Sequence, residues 1–342
     1  MKLSNNRSTR AIRRALLLCL FCVVGIAPIA LALDKVSLAV PVVAVQYMPL
    51  YFGIKEGVFA AEGLAVEMHV LRTDLAIAAL NTGKLDYIAH GGAALRGATR
   101  GFPLKLIYAL DDRSAFWLLT QPVIRDVAML KAKKIGVSFP GDTPYLVLKR
   151  FLRKRGLDPD KDVTYVAGQI SPIGFQGLAA GALDGAVMAP PFSVLAEEKG
   201  FYALAFLGDE VPDAPTVNGL IASDKKIRSR PSEVQRMVRA VLKSVDIYRQ
   251  RKERAAAFLA SEFNLAPATA KKVYATASAL LTPNGEIGPD KIRDVLNLAR
   301  ELGQLPADLQ EPKSLVDFSF LQEARRALAP SSSADAFKGR TR

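Results

Sequence analysis

The chain has 342 residues, 50% hydrophobic and 23% charged, which suits a folded globular protein of one large or two medium domains with a sizeable core. Its formal charge of +13 falls to +8 once the five basic residues before Asp34 are set aside, since 41 Lys and Arg then face 33 acids. That remainder is spread over helix-like stretches such as KKIRSRPSEVQRMVR and YRQRKER without a recognised nucleic-acid-binding fold, so no nucleic-acid partner is expected.

The first 33 residues differ in kind from the rest. Lys2, Arg7, Arg10, Arg13 and Arg14 precede ALLLCLFCVVGIAPIALAL, 19 uncharged residues from Ala15 to Leu33, which end in the small-x-small sequence Ala30-Leu31-Ala32. A basic start, an apolar run and that ending read as a secretory signal cleaved after Ala32 or nearby. The alternative is an uncleaved anchor, because 19 apolar residues could just span a bilayer. Arg13-Arg14 is a poor fit to a twin-arginine signal. Both cysteines, Cys19 and Cys22, fall in this leader, and LLLC lacks the small residue that precedes a lipidated cysteine. The body therefore has no thiol, which excludes a disulfide framework, a cysteine nucleophile and a thiolate metal site.

From about Val36 the pattern becomes periodic. VSLAVPVVAVQ reads as a strand, IKEGVFAAEGLAVEMHVL as a helix closing at Gly63-Leu64 before a strand, and LNTGKLDYIAHGG as a helix stopping at Gly83, a Leu-Asp turn and a further strand. LKLIYAL (104–110) and AFWLLTQ (115–121) are two strand-like runs joined by the polar turn DDRS. From about Lys134 the first pattern returns: AKKIGVSF, then LKRFLRKRGLDPDKDVTYV closing at Gly156-Leu157, then LAAGALDGAVMAPP with its glycine at Gly181. The shared turns lie 93 and 98 residues apart and in the same order. Two strand-helix-strand-helix-strand runs predict an open parallel α/β sheet in each half. VNGLIAS (217–223) adds a strand. Helices are then expected from Pro231, over 254–262, 267–278, 289–302 and 318–328, before a small polar tail expected to be disordered. The expected division is a signal peptide over 1–33, a discontinuous first lobe over 34–117 and 217–328, a second lobe over 118–216, and a tail over 329–342.

Catalytic tools are sparse. The two histidines are single and far apart, with His69 inside the strand VEMHVL, and there is no H-E-x-x-H, G-x-S-x-G or G-x-x-x-x-G-K-[ST]. HGGAALRG follows a strand but lacks dinucleotide-binding spacing. Among the acid pairs, Asp86 and Asp184 occupy equivalent places in the repeat, yet both begin strands, where a turn or capping role is expected. Loops at the carboxyl ends of the strands are where open α/β sheets bind ligands. They supply the candidate contacts Gln46, Tyr47, Met48, Thr73, Gly91 and Gly92 in the first lobe, and Gly141, Asp142, Thr143, Ser171, Pro190 and Pro191 in the second. Hydroxyls, amides and glycines suit recognition better than turnover, so no catalytic residue, cofactor or metal is expected.

YMPLYFGIKEGVFAAEGLAVEM, LNTGKLDYIAHGG, IGVSFPGDTPYLVLKRFLRKRGLDPDKDVTYV and GALDGAVMAPP, taken in order with NGLIAS and the helices after it, resemble the periplasmic substrate-binding proteins of ABC importers. The resemblance is to the nitrate, sulfonate and taurine group that includes relatives of the thiamine pyrimidine-precursor synthases, and it spans nearly all of 36–325. It implies an α/β chain of the type II periplasmic-binding-protein fold, two lobes joined by a two-strand hinge with C-terminal helices on the first lobe. It also implies a periplasmic, non-enzymatic monomer that carries a small anionic or heteroaromatic solute to an ABC permease and its ATPase. Many sulfonate and nitrate binders look serine- or threonine-rich where Asp142 stands; an acid there opposes an anion unless it points away or caps the helix. The alternatives are an enzyme on the same fold, such as a pyrimidine-precursor synthase with a cleft histidine (His90) and bound pyridoxal phosphate, or a membrane-tethered sensor. A transcription regulator of this architecture is excluded by the leader.

Overall fold

The computed structural model describes residues 32–139, 142–169, 171–301, 303, 305 and 315–328. The first 31 residues of the expected leader, Gly141 and the expected tail lie outside the described residues.

β1 (Asp34–Val40) ends in the apolar run Leu38-Ala39-Val40, all three fully buried, and lies between two parallel neighbours. It pairs in parallel with β2 (Leu64–Val70), Asp34 opposite Leu64 through Val40 opposite Val70, and with the two-residue β3 (Tyr87–Ile88). β4 (Leu104–Ala109) and β10 (Gly219–Ser223) complete the order β2-β1-β3-β10-β4, with β10 antiparallel to both neighbours. The second sheet contains β5 (Trp117–Thr120), β6 (Lys133–Gly136), β7 (Val163–Val166), β8 (Gly185–Met188) and β9 (Tyr202–Phe206) in the order β7-β6-β8-β5-β9. Here β5 is the antiparallel strand. The two orders superpose position by position with β6 in the place of β1.

Matching chemistry holds the matching turns. Gly83 and Gly181, which follow α3 (Thr73–Thr82) and α6 (Ser171–Ala179), have φ of +78° and +70°, a conformation that a side chain disfavours. Three residues on, Asp86 accepts from the Ser37 backbone N–H on β1 at 2.9 Å and Asp184 from that of Lys134 on β6 at 2.8 Å. Both acids thus tie a turn to the strand that lies between the parallel neighbours of their own sheet, the turn role expected of them.

Helices cover both faces of each sheet. In the first lobe α1 (Met48–Lys55) and α2 (Val58–Ala61) lie on one face and α3 with α4 (Gly91–Thr99) on the other; Leu38 and Ala39, pointing opposite ways along β1, enter different apolar clusters. In the second, α5 (Thr143–Lys154) packs on one face, α6 and α7 (Phe192–Glu198) on the other. A short α8 (Leu207–Glu210), which with β9 escaped sequence reading, leads out of that sheet. The C-terminal helices are α9 (Asp224–Ser229), α10 (Pro231–Gln250), α11 (Lys252–Phe263), α12 (Pro267–Ser278), α13 (Pro289–Glu301) and α14 (Ser319–Leu328). They pack on the first sheet, led by α10, whose Val234, Met237, Val238, Val241, Val245 and Tyr248 form a buried stripe at helical spacing. Each such side chain contributes about 1.5–3 kcal/mol on burial. α13 reaches further: Val295 joins the first lobe's apolar cluster and Leu298 the second's. Among the described residues no helix is long and apolar enough to cross a membrane.

Two crossing segments, 110–116 and 207–218, connect the sheets. Leu110 N–H donates to the Asn218 carbonyl at 2.8 Å and Leu207 N–H to that of Phe116 at 2.9 Å, so the crossings run bonded to one another.

Candidate ligand-binding cleft

In a parallel sheet the loops after the strands leave from one end, and the two sheets present those ends to a common cleft of about 640 Å³. The first jaw is the stretch Pro41 to Ala44 after β1, then Gln46 and Tyr47 of the 3-10 turn Val45–Tyr47, and then His90 and Gly92 where α4 begins. The second jaw is Ser138, Asp142, Thr143 and Pro144 at the start of α5, Gln169, Ser171 and Pro172 at the start of α6, and Ala189 to Phe192 at the start of α7. Ala115, Phe116 and Pro215 to Asn218 of the crossings form the floor, with Val295, Leu298 and Phe263 beside them.

The polar groups of the floor are joined in a chain. The buried Tyr47 hydroxyl donates to Asn218 Oδ1 at 2.8 Å; Asn218 donates its Nδ2 to Asp111 Oδ2 and its backbone N–H to Asp111 Oδ1, both at 2.7 Å. Burial pushes the Asp111 carboxyl up to about 7, aided by the charge of Asp112 and opposed by the Asn218 hydrogen bonds. Burial likewise raises the Tyr47 phenol, so it stays a neutral donor.

Asp142 caps the helix it precedes. Its carboxylate accepts from Tyr145 N–H at 3.2 Å, from Phe139 N–H at 3.1 Å and from the Ser138 hydroxyl. Burial raises its pKa against the pull of these bonds. The acid is at the cleft, but its oxygens are already occupied by the α5 turn.

On the opposite jaw His90 precedes α4, its Nδ1 2.8 Å from the Thr73 hydroxyl. Burial, and then the charge of Arg96, lower its pKa to about 4, so the ring is neutral near pH 7. Arg96 also lines the cleft. It stands four residues after Gly92 on one face of α4, where side chains lean toward the helix start, and a Cβ at position 92 would lie 3.5 Å from its Nη1. Burial lowers its pKa to about 10, with Arg100 adding to the effect, which leaves it protonated. Among the described residues nothing accepts a hydrogen bond from this guanidinium.

The NMT1/THI5-like family model matches residues 44–255, more than half of the chain. The chain belongs to the NMT1/THI5-like family. No curated protein matches it. Its fold is shared with the periplasmic sulfonate-binding protein SsuA of Methylobacillus flagellatus KT, 18% identical, with a TM-score of 0.70 over 87% of this chain and 95% of that one. It is shared too with the periplasmic nitrate-binding protein NrtA of Synechocystis PCC 6803, 15% identical, with a TM-score of 0.65 over 88% and 92%. The desulfurization enzyme DSZB, 14% identical, matches with a TM-score of 0.63 over 86% and 99%. At these identities the likeness is one of fold, the two-lobed type II periplasmic-binding-protein arrangement.

In this NMT1/THI5-like chain, eight of the twelve residues picked out from the sequence line the cleft: Gln46, Tyr47, Gly92, Asp142, Thr143, Ser171, Pro190 and Pro191. Gly141 lies outside the described residues. Met48 lies away from the cleft, fully buried in the first lobe's core. Gly91 is buried against Val217, where a Cβ would come within 2.8 Å of the Val217 carbonyl. Thr73 touches the cleft only through its bond to His90. Ser171 is partly spent, accepting from Ala189 N–H at 3.0 Å. His90, expected from the sequence at a strand end and as the cleft histidine of the enzyme alternative, does line the cleft, whereas Arg96, also within HGGAALRG, was not among the expected contacts. The signal was the spacing of Gly92 and Arg96, four residues apart on a helix. Among the described residues no cluster of His, Cys, Asp or Glu could hold a metal ion.

Proposed function

We propose that the chain is the extracytoplasmic solute-binding component of an ABC importer, exported by its leader, acting as a monomer and handing a small solute to a membrane permease with its ATPase. The lobes divide as 34–117 with 217–328, and 118–216, and the solute closes them by bridging both jaws. The observation that carries the reading is the cleft itself: its walls come from both sheets and both crossings, and it contains a cation, Arg96, that no described residue accepts from, opposite hydroxyls and amides. The names of the sulfonate- and nitrate-binding proteins that share the fold support it.

Purified protein should gain thermal stability with one solute from a panel of sulfonates, carboxylates, nitrate and pyrimidines, by about 2.7 kcal/mol at a hundredfold excess over Kd. The sole tryptophan, Trp117, stacks on Phe206 with ring centroids 4.3 Å apart beside the crossing, so its emission should report closure. Mass spectrometry of the solute after incubation should show it unchanged; conversion without a transporter would overturn the carrier reading. N-terminal sequencing of exported protein tests the leader.

An enzyme is the second reading, favoured by the shared fold of DSZB and by His90 at the cleft. A histidine held near pKa 4 is a weak base at neutral pH. Pyridoxal phosphate does not fit this cleft, since among its described lining residues there is no lysine to take the aldehyde.

A further inference from the structure

The charges and the volume of the cleft select among solutes, and the selection rests on the carrier reading above. The charged side chains among its described lining residues are Arg96 on the first jaw and Asp142 on the second, with His90 neutral between Thr73 and Arg96. The Asp142 oxygens are taken up by Ser138, Phe139 and Tyr145, whereas the Arg96 guanidinium has no acceptor among the described residues. A partly desolvated guanidinium is stabilised by an anionic group with two oxygens in a plane, which it grips in a bidentate manner. A second anionic group on the same solute would meet no second cation and would approach Asp142 across the cleft. The remaining wall is dominated by carbon: Phe116, Val187, Phe192, Phe263, Val295 and Leu298. A volume of about 640 Å³ is in the range that encloses a drug-sized molecule and far exceeds an ion of four or five atoms. Val42 and Val43, 51% and 43% exposed at the first jaw, extend the apolar lining to the rim, where water would otherwise be displaced for no gain.

We infer that Arg96 is the anion anchor and that the solute is a bulky apolar monoanion, an aromatic or branched carboxylate or sulfonate, rather than nitrate, taurine or a dianion. Arg96 sets the charge and the apolar wall sets the size. A Cβ at position 92 would lie 3.5 Å from Arg96 Nη1, so Gly92 and the guanidinium share one patch of the first jaw.

The test is titration calorimetry of the purified protein with benzoate and benzenesulfonate, against methanesulfonate, nitrate and taurine for size, phthalate for charge number, and benzamide for charge. Benzoate or benzenesulfonate should bind about 10- to 100-fold more tightly than each of the others. Arg96→Gln should weaken that binding by a similar factor while leaving the thermal midpoint of unliganded protein in place, and Arg96→Lys should restore part of it. Nitrate, taurine or methanesulfonate binding more tightly than the aromatic anions overturns the inference and leaves the carrier reading standing. So does benzamide binding as well as benzoate, or Arg96→Gln binding as well as the parent. If no member of the panel binds, the inference falls, and the carrier reading falls with it only when the pyrimidines and the other sulfonates and carboxylates of the stability panel also fail to bind.

Discussion

Asn218 joins the cleft floor to the buried acid of the crossing, so Asn218→Ala perturbs both ends of one chain of bonds. The substitution removes the 2.7 Å bond from Nδ2 to Asp111 and the acceptor of the Tyr47 hydroxyl, and it keeps the backbone bond from position 218 to Asp111. Losing a donor to an ionised carboxylate costs about 1.5–3 kcal/mol and stranding a buried hydroxyl about 1–2, so a loss of about 3–4 kcal/mol is expected at pH 8. The pH dependence has a definite sign. Asp111 titrates near 7 in the fold against 3.8 when exposed, so between those values the native state holds a proton that the unfolded chain has released. Its contribution to stability is therefore complete below about pH 4 and is lost as pH rises to 7. Removing the Nδ2 donor raises the native pKa further. At pH 5, where the parent carboxyl is already protonated, only neutral bonds are lost and the cost falls to about 2 kcal/mol. Urea unfolding of both proteins at pH 5 and pH 8, followed by circular dichroism and Trp117 emission, measures the two differences. Tyr47→Phe, which deletes only the hydroxyl, should cost about 1 kcal/mol at both values. Equal losses for Asn218→Ala at the two pH values, or a loss under about 1 kcal/mol at pH 8, would refute the coupled chain.

Asp142→Ala strips the α5 cap and should lower stability by about 1–2 kcal/mol in thermal melts; no loss would mean that the acid serves the ligand instead. Gly219→Ala places a Cβ 2.1 Å from the Tyr108 carbonyl across the β10–β4 pair, so about 2–3 kcal/mol of destabilisation is expected in denaturant titrations. The lobes are tied on one flank by Arg150 to Glu301 and on another by Glu198 to Lys272 and Thr269. Arg150→Ala combined with Glu198→Gln should weaken solute binding about 2- to 10-fold by calorimetry, the size that partly exposed pairs permit. Burial would raise the Glu62 carboxyl, but hydrogen bonds from Arg239 and Lys243 outweigh it and hold the pKa below the usual range. The stability Glu62 confers is then present above that range and lost as pH falls through the lowered value, a pH slope that Glu62→Gln should flatten in acid melts.

The repeat was legible because its signals are local. A glycine at positive φ followed by Leu-Asp needs only a few adjacent residues, and all four matched glycines, Gly63, Gly83, Gly156 and Gly181, adopt φ between +70° and +81°. The jaws followed from the rule that ligands sit beyond strand ends, which placed Gln46, Tyr47 and Asp142 at the cleft. What stayed hidden depended on partners far along the chain. Whether Met48 faced the cleft or the core was decided by the packing of α1 on α10, nearly two hundred residues later. The role of the Arg96 guanidinium was invisible for the complementary reason: that no described residue accepts from it depends on how the described fold is packed, and an arginine in an Ala-Gly helix looks like any solvated charge. Asp142 was ambiguous in sequence, since a cap and a ligand contact call for the same residue, and only its three donors resolve the geometry.

The strand orders also explain why the cleft and the hinge are one structure. In each sheet the antiparallel strand belongs to a crossing: β10 returns from the second lobe into the first sheet, and β5 enters the second sheet from the first lobe. Each lobe is therefore pinned by the chain of the other, and a rotation between them has to be absorbed in 110–116 and 207–218. Those residues are bonded to one another through Leu110, Asp111, Phe116, Leu207 and Asn218, and Phe116 and Asn218 also floor the cleft. A solute that rests on the floor consequently contacts the segments that must bend, so its binding energy acts on the hinge without a relay. The Asp111 carboxyl sits in that same layer, where a proton changes the bonds available to Asn218 and through it to Tyr47. Closure measured as the solute-induced change in Trp117 emission should for this reason shift with pH across the range near 7 in the parent protein, and the shift should disappear in Asn218→Ala, in which Asp111 has no side-chain route to the cleft.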